Sequence, residues 1–228
     1  MLNILLMAGQ GTRFSDSNYK DPKPLIKING LMMFEHAISS FPKSDKNYLV
    51  INENISGNKK FNDYVKKNNI NFEVVKTPNF GQAHSLYLFL KNTNINEPFF
   101  VGPCDAVLKL NEFFPGDIDF CAITSTPSQF QSKNTEKFGF YDKDNDFFIS
   151  KKNINIKNHE VILGAFYFKS KDIFFNAYNE MISQNDLING EYYLDTIGNY
   201  INNSKNFYIK DFFSIGTPEE LEDNIKKI

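Results

Sequence analysis

The sequence predicts an α/β fold, a three-layer α/β/α arrangement in which helices cover both faces of a mostly parallel, mixed sheet. Three observations carry this. Short apolar runs alternate with segments of helical apolar spacing through the first half of the chain. The first of those runs ends directly in a glycine-rich turn, where a sheet of this kind presents the carboxyl end of a strand to solvent. The chain has 228 residues, 41% of them hydrophobic, which is enough to bury a sizeable core.

The elements follow in order. LNILLMA (2–8) is a short buried strand stopped by Gly9. LMMFEHAISSF (31–41) has the spacing of a helix, NYLVIN (47–52) is a strand, and KKFNDYVKKNN (59–69) is a helix with a polar face. NFEVVKT (71–77), GQAHSLYLFLK (81–91) and PFFVGP (98–103) repeat the pattern as strand, helix and strand. Strands joined through helices in this way make right-handed crossovers, so neighbouring strands run parallel. The second half is less regular. Strands are expected over 119–125, 137–142, 146–150, 161–168 and 206–212, the second and third as a hairpin around KDN. Helices are expected over 171–183, 192–202 and 217–227, the last opening with Thr217 and Pro218 in N-cap and first-turn places. With no repeat, linker or composition break, the chain reads as one domain over 1–228.

Charge narrows the partners. Twenty-five basic residues against 27 acidic ones leave a net charge of −2, so there is no basic excess for a nucleic acid and no lysine run for a membrane surface. Two cysteines, Cys104 and Cys121, are too few for a disulfide framework and lack metal-site spacing. No basic leader precedes the short ILLMA run, and no stretch of about 18 apolar residues occurs. A soluble, cytoplasmic protein is expected. The chain holds 30 asparagines and a single arginine, Arg13, which singles out that side chain among 24 lysines. Arginine differs from lysine where a planar, bidentate phosphate contact is required.

Arg13 lies in the opening stretch MAGQGTRF. The loop begins like a dinucleotide fingerprint, but Phe14 takes the third glycine place, and no Gly-Lys-Ser/Thr follows to make a P-loop. What remains is a loop suited to wrapping a triphosphate with backbone N–H groups. Ten residues beyond Arg13, Lys23 stands between Pro22 and Pro24. Each proline sets its own φ and drives the preceding residue towards an extended conformation, so Lys23 projects from a stiff segment as a catalytic cation would.

The stretch MAGQGTRF…DPKPLIKINGLMMFEHAI resembles the signature of the sugar-phosphate nucleotidylyltransferases, a Gly-x-Gly-Thr-Arg loop followed by Pro-Lys-Pro-Leu. The resemblance continues through FGQAHSLYLFL, VGPCDAVL, LGAFYFKS, GEYYLDT and SIGTPEELE. It implies a Rossmann-like fold of the nucleotide-diphospho-sugar transferase type, with residues 1–110 binding the nucleotide and residues 111–228 the acceptor. The implied activity joins a nucleoside triphosphate to a phosphorylated sugar or similar small molecule, with Mg²⁺ as cofactor. In those terms Met7, Ala8, Gly9, Gly11, Thr12, Arg13, Lys23, Gln82 and Asp105 form the nucleotide site. Gly9, Gly11 and Thr12 would cradle the β- and γ-phosphates, Arg13 would hold the departing pyrophosphate, and Lys23 would stand between the α-phosphate and the attacking group. Gln82 would read the base edge, and Asp105 would be the Mg²⁺ ligand.

For the acceptor, the resemblance points to Lys152, or its neighbour Lys151, with Gly164 allowing close approach and Glu191 contacting hydroxyls. Relatives place a second metal carboxylate where this chain has Ser214, so either one carboxylate with phosphates and water suffices, or Asp195, Glu191 or Asp211 substitutes. A pyrimidine triphosphate, CTP first, and a sugar- or polyol-phosphate acceptor for surface or capsule polysaccharide precursors are expected by analogy with small cytidylyl- and thymidylyltransferases. The aromatic-rich second half is a candidate homodimer surface. His36, His84 and His159 are too scattered for a metal site, His84 alone standing near the nucleotide candidates. A nucleotide-sugar glycosyltransferase is the rival reading, but the run CDAV lacks its Asp-x-Asp. A non-catalytic nucleotide-binding protein would have no use for the two cations.

Overall fold

Leu2–Met7 is buried at every position and forms the central strand of the computed structural model, which describes residues 1–17, 19–76, 80–110, 113–126, 138–150 and 158–228. In chain order the strands of the first half are β1 (Leu2–Met7), β2 (Lys27–Ile28), β3 (Leu31–Met32), β4 (Asn47–Ile51), β5 (Asn71–Val74), β6 (Phe99–Pro103) and β7 (Ala106–Leu108). Those of the second half are β8 (Phe120–Ser125), β9 (Gly139–Asp142), β10 (Phe147–Ser150), β11 (His159–Phe168), β12 (Ser204–Tyr208) and β13 (Phe212–Ser214). The helices are α1 (Thr12–Asp16), α2 (Met33–Ser39), α3 (Glu53–Ser56), α4 (Lys59–Asn68), α5 (Gly81–Lys91), α6 (Lys171–Ser183) and α7 (Pro218–Asn224).

One mixed sheet carries most of these strands, in the order β10-β9-β11-β6-β1-β4-β5, with β8 and β12 attached through β11. β6, β1, β4 and β5 run parallel, as their helical crossovers require. β11 is antiparallel to β6, β8 and β9 and joins the two halves of the chain. It shifts register between Ile162 and Phe166, and Gly164 sits in that bulge with φ +70°, a conformation a side chain would strain.

Side chains alternate across β1 as a strand dictates. Leu2, Ile4 and Leu6 enter the core covered by α5 and α6, where Phe89, Phe174 and Tyr178 are buried. Leu5 and Met7 face the opposite core, under Phe34 of α2 and Phe61 of α4. The three layers and mixed sheet expected from the sequence are therefore present. A third, smaller cluster packs Phe14, Ile26, Ile28 and Met33 against Val107, Ile215 and Leu221, pinning the glycine-rich turn to the C-terminal segment.

Some elements differ from expectation. Residues 192–202 contain a 3₁₀ helix, Leu194–Tyr200, because the Tyr192 backbone is engaged elsewhere: its N–H donates to the Phe80 carbonyl and its carbonyl accepts from Ala83 N–H. The expected strand over 206–212 divides into β12 and β13, and β13 pairs with β7 instead of joining the main sheet. Asn29 and Gly30, both at positive φ, turn the β2–β3 hairpin ahead of α2. Thr217 caps α7 as expected, accepting from Glu220 N–H at 3.2 Å, with Pro218 in the first turn. Both cysteines are free thiols and buried. Among the described residues no helix is long and apolar enough to cross a membrane.

Candidate active site

A cleft of about 490 Å³ opens at the carboxyl ends of β1 and β6. That is where a parallel α/β sheet leaves a crevice between diverging loops. Its walls include Met7, Ala8, Gly9, Gly11, Thr12, Arg13, Lys23, Gln82, Asp105 and Glu191, so ten of the candidate residues share one space.

The glycine-rich loop is shaped by its neighbours. Gly11 has φ +67° and serves as the N-cap of α1; a Cβ there would stand 2.9 Å from the Lys23 Cβ. Glycine at 11 thus allows both the left-handed turn and the close approach of the lysine segment. A Cβ on Gly9 would meet nothing within 4 Å, so no protein atom accounts for a glycine there. Phe14 anchors the loop from below, 1% exposed and edge-on to Tyr19. Asn52 braces it from β4: its Nδ2 donates to the carbonyls of Ala8 (3.1 Å) and Gly9 (3.3 Å), while its Oδ1 accepts from Ile55 N–H and caps α3. The sequence offered a signal for Asn52, an asparagine between a strand and a helix, but none for its reach across 44 residues to the loop.

Lys23 opens a 3₁₀ turn, Lys23–Leu25, whose Leu25 N–H donates to the Pro22 carbonyl at 2.8 Å. Its side chain, 13% exposed, crosses the Phe14 ring at 5.7 Å and forms an ion pair with the Asp105 carboxylate. Burial works against both charges. The Asp105 charge and hydrogen bond overcome burial to raise the Lys23 pKa, and the Lys23 ammonium, with Arg13 assisting, holds the Asp105 carboxyl below its usual range. Both groups stay charged near neutral pH. Burial, with the Asp105 charge adding to it, pushes the neighbouring Cys104 thiol up to about 12, so this cleft cysteine is no nucleophile.

At the other end of the cleft, the N-terminus of α5 meets the segment before the 3₁₀ helix. Gly81, at φ +89°, would place a Cβ 3.0 Å from that of Glu191, and Glu191 accepts a hydrogen bond from the Tyr193 hydroxyl. Glu191 therefore lies beside Gln82, next to the nucleotide candidates and not apart from them.

Other candidates stand elsewhere. Gly164 is not part of the cleft wall and faces Pro103, its Cβ position 3.5 Å from that ring. Asp195 is 5% exposed, accepts from Ser150 Oγ at 2.9 Å and lies behind Gly139, while Asp211 lines a separate surface cleft with Lys109 and Tyr208. Lys151 and Lys152 fall outside the described residues. The histidines have structural partners: His36 Nε2 binds the Ile28 carbonyl (2.8 Å), His84 Nδ1 the Tyr178 hydroxyl (2.7 Å), and His159 Nε2 lies 3.7 Å from Asp142. None of the three is among the residues that line the cleft.

Residues 3–112 match the family model of the MobA-like NTP transferase domain. This part of the chain is similar to NTP transferase domains. The match agrees with the resemblance to nucleotidylyltransferases carried by the opening motifs. The matched segment contains the glycine-rich loop, Arg13, Lys23, Gln82 and Asp105, whereas Glu191 reaches the cleft from beyond it.

Solved structures extend the likeness in fold over the whole chain. A nucleoside-diphosphate-sugar pyrophosphorylase from Vibrio cholerae RC9 superposes with a TM-score of 0.79 at 18% identity, over 99% of this chain and 100% of that one. An inositol-1-phosphate CTP transferase from T. maritima gives 0.74 at 16% identity, over 99% and 93%. HddC from Yersinia pseudotuberculosis, complexed with GMP-PN, gives 0.67 at 20% identity, over 99% and 98%. Comparison of the sequence with curated proteins finds no match.

Proposed function

We propose that this protein transfers a nucleoside monophosphate from a nucleoside triphosphate to a small phosphorylated acceptor and releases pyrophosphate. One observation carries the reading: in a segment similar to NTP transferase domains, an arginine, a partly buried lysine and a partly buried carboxylate meet a glycine-rich loop in a single cleft. An acceptor phosphate oxygen attacks the α-phosphorus, the α–β phosphoanhydride bond breaks, and pyrophosphate leaves. No covalent nucleophile is needed, so the protein contributes position and positive charge.

The residues divide by location. Backbone N–H groups from Gly9 to Thr12 receive the β- and γ-phosphates, and the open space at Gly9 suits that close approach. Arg13 grips the departing pyrophosphate with its planar fork. Lys23, held charged by Asp105, meets the negative charge that gathers on the α-phosphate. Gln82, from the first turn of α5, reads the base edge. The first 110 residues supply this nucleotide half; residues 111–228 supply the acceptor half, with Glu191, Gly164 and Lys152 or Lys151 as its contacts.

Asp105 suits Mg²⁺. A carboxylate is a hard oxygen donor, and the Lys23 ammonium already sits against it as a stand-in cation. Mg²⁺ held there would neutralise phosphate charge. A compact cytoplasmic enzyme that prefers CTP and a sugar or polyol phosphate, feeding surface or capsule polysaccharide synthesis, is the specific form we favour. The fold it shares with the T. maritima CTP transferase is compatible with that choice.

A thermal-shift panel of ATP, GTP, CTP, UTP and dTTP, each with and without Mg²⁺, tests the reading. A ligand at a hundred times its Kd adds about 2.7 kcal/mol to stability. A Mg²⁺-dependent shift with one triphosphate supports the proposal and names the base; pyrophosphate release against a set of sugar and polyol phosphates then names the acceptor. Silence from all five, with a shift from nucleotide sugars, overturns it in favour of a glycosyltransferase.

A further inference from the structure

The cation end of the cleft holds one carboxylate, Asp105, and Ser214 stands where a second was expected. The suggested substitutes are misplaced: Asp195 is buried behind Gly139, Asp211 belongs to another cleft, and Glu191 lies at the far end beside Gly81. A residue that sequence reasoning passed over, Glu220, comes close.

Glu220 is the third residue of α7, after the Thr217 cap and Pro218. A glutamate at this helix position reaches back over the N-terminus, ordinarily to the N-cap N–H. Here it reaches one residue further. Its Oε2 accepts from Gly216 N–H at 3.1 Å and from Ser214 Oγ at 2.8 Å. A Cβ on Gly216 would stand 2.9 Å from Asp105 Oδ2 and 3.2 Å from Glu220 Oε2, so the two carboxylates border the same atom-sized space, and Gly216 itself lines the cleft. Gly216 is not among the glycines with positive φ, so its backbone does not call for glycine. The space between the carboxylates does.

The corner is held in place. Ile215 N–H donates to the Asp105 carbonyl at 2.9 Å, and Ser214 pairs with Ala106 across β13 and β7. The serine is explained as well. An aspartate at 214 would press a second negative charge against Glu220, whereas the serine hydroxyl donates to it.

We propose that Glu220 is the second carboxylate of the cation site, its charge moved from position 214 to the first turn of α7. The inference rests on the nucleotidyltransferase reading and deepens it. Two carboxylates with substrate phosphates and water are a sufficient set for Mg²⁺, and among the described residues no larger acidic or histidine group gathers for a metal.

Mn²⁺ with inorganic tripolyphosphate, titrated against the protein and followed by the EPR signal of bound Mn²⁺, tests this without reference to base or turnover. Glu220→Gln keeps the acceptor for Ser214 and Gly216 while removing the charge, so the fold persists. We expect Glu220→Gln and Asp105→Asn each to weaken Mn²⁺ binding by about tenfold to a hundredfold. Returning the charge, with Ser214→Asp added to Glu220→Gln, should recover it. If Glu220→Gln titrates like wild type while Asp105→Asn loses Mn²⁺, this inference alone is overturned. No recovery in the double variant leaves Glu220 a structural brace and overturns it too. A wild-type protein that holds no Mn²⁺ overturns both the inference and the metal-dependent reading beneath it.

Discussion

Lys23 and Asp105, 82 residues apart in the chain, form an ion pair inside the cleft. The pair joins the stiff Pro-Lys-Pro segment to the end of β6, beneath the glycine-rich loop. Each charge offsets the cost of burying the other.

Lys23→Ala removes the cation proposed to face the α-phosphate. Turnover, followed by pyrophosphate release, should fall about a hundredfold to a thousandfold, the loss typical of one well-placed transition-state contact. Unchanged turnover would remove Lys23 from the chemistry.

Arg13→Lys keeps the charge and loses the fork. A bidentate grip on pyrophosphate predicts a loss of about tenfold to a hundredfold in kcat/KM, equivalent to one or two charge-assisted hydrogen bonds. Wild-type kinetics would reduce Arg13 to a point charge.

Gly9→Ala and Gly11→Ala should part company. At Gly9 a methyl group meets open space, so Tm holds while the triphosphate-induced shift shrinks. At Gly11 it must sit 2.9 Å from the Lys23 Cβ at a left-handed φ, which costs about 1–2 kcal/mol before the clash is counted. Equal Tm losses in the two variants would contradict this account of the loop.

His84 gives the fold an acid sensitivity. Burial lowers its pKa, so the folded state favours the neutral ring whose Nδ1 meets the Tyr178 hydroxyl. The unfolded chain takes up that proton at a higher pH. The contribution is therefore present above the ordinary histidine range and is lost as the pH falls through the lowered value. Urea unfolding between about pH 7 and pH 5 should show stability falling with pH in wild type and a flatter profile in His84→Asn. Parallel profiles would assign the slope to other groups.

The sheet, its order of elements and the first wall of the cleft were legible because they rest on local signals. Alternation of apolar runs, the glycines at 9 and 11, the prolines around Lys23 and the Thr217–Pro218 start of α7 each act within a few residues. What escaped was long-range. Asn52 reaches Ala8 across 44 residues, and Tyr192 pairs with Phe80 and so shortens an expected helix to a 3₁₀ segment. Phe14 could be seen to break a fingerprint, but not to anchor the loop among Val107, Ile215 and Leu221.

The same division holds at the proposed cation site. By itself the sequence determined that an aspartate follows β6 and that Ser214 stands two residues before Gly216, because identity and spacing are properties of the chain; that relatives carry a carboxylate at that place is what the family resemblance implies. That Glu220 borders the same space as Asp105 was decided only in three dimensions. β13 pairs with β7, the corner at Gly216 folds over Asp105, and the first turn of α7 swings Glu220 back towards it. Charges act through the distance between them in space, and that distance is set by packing elements from opposite ends of the chain.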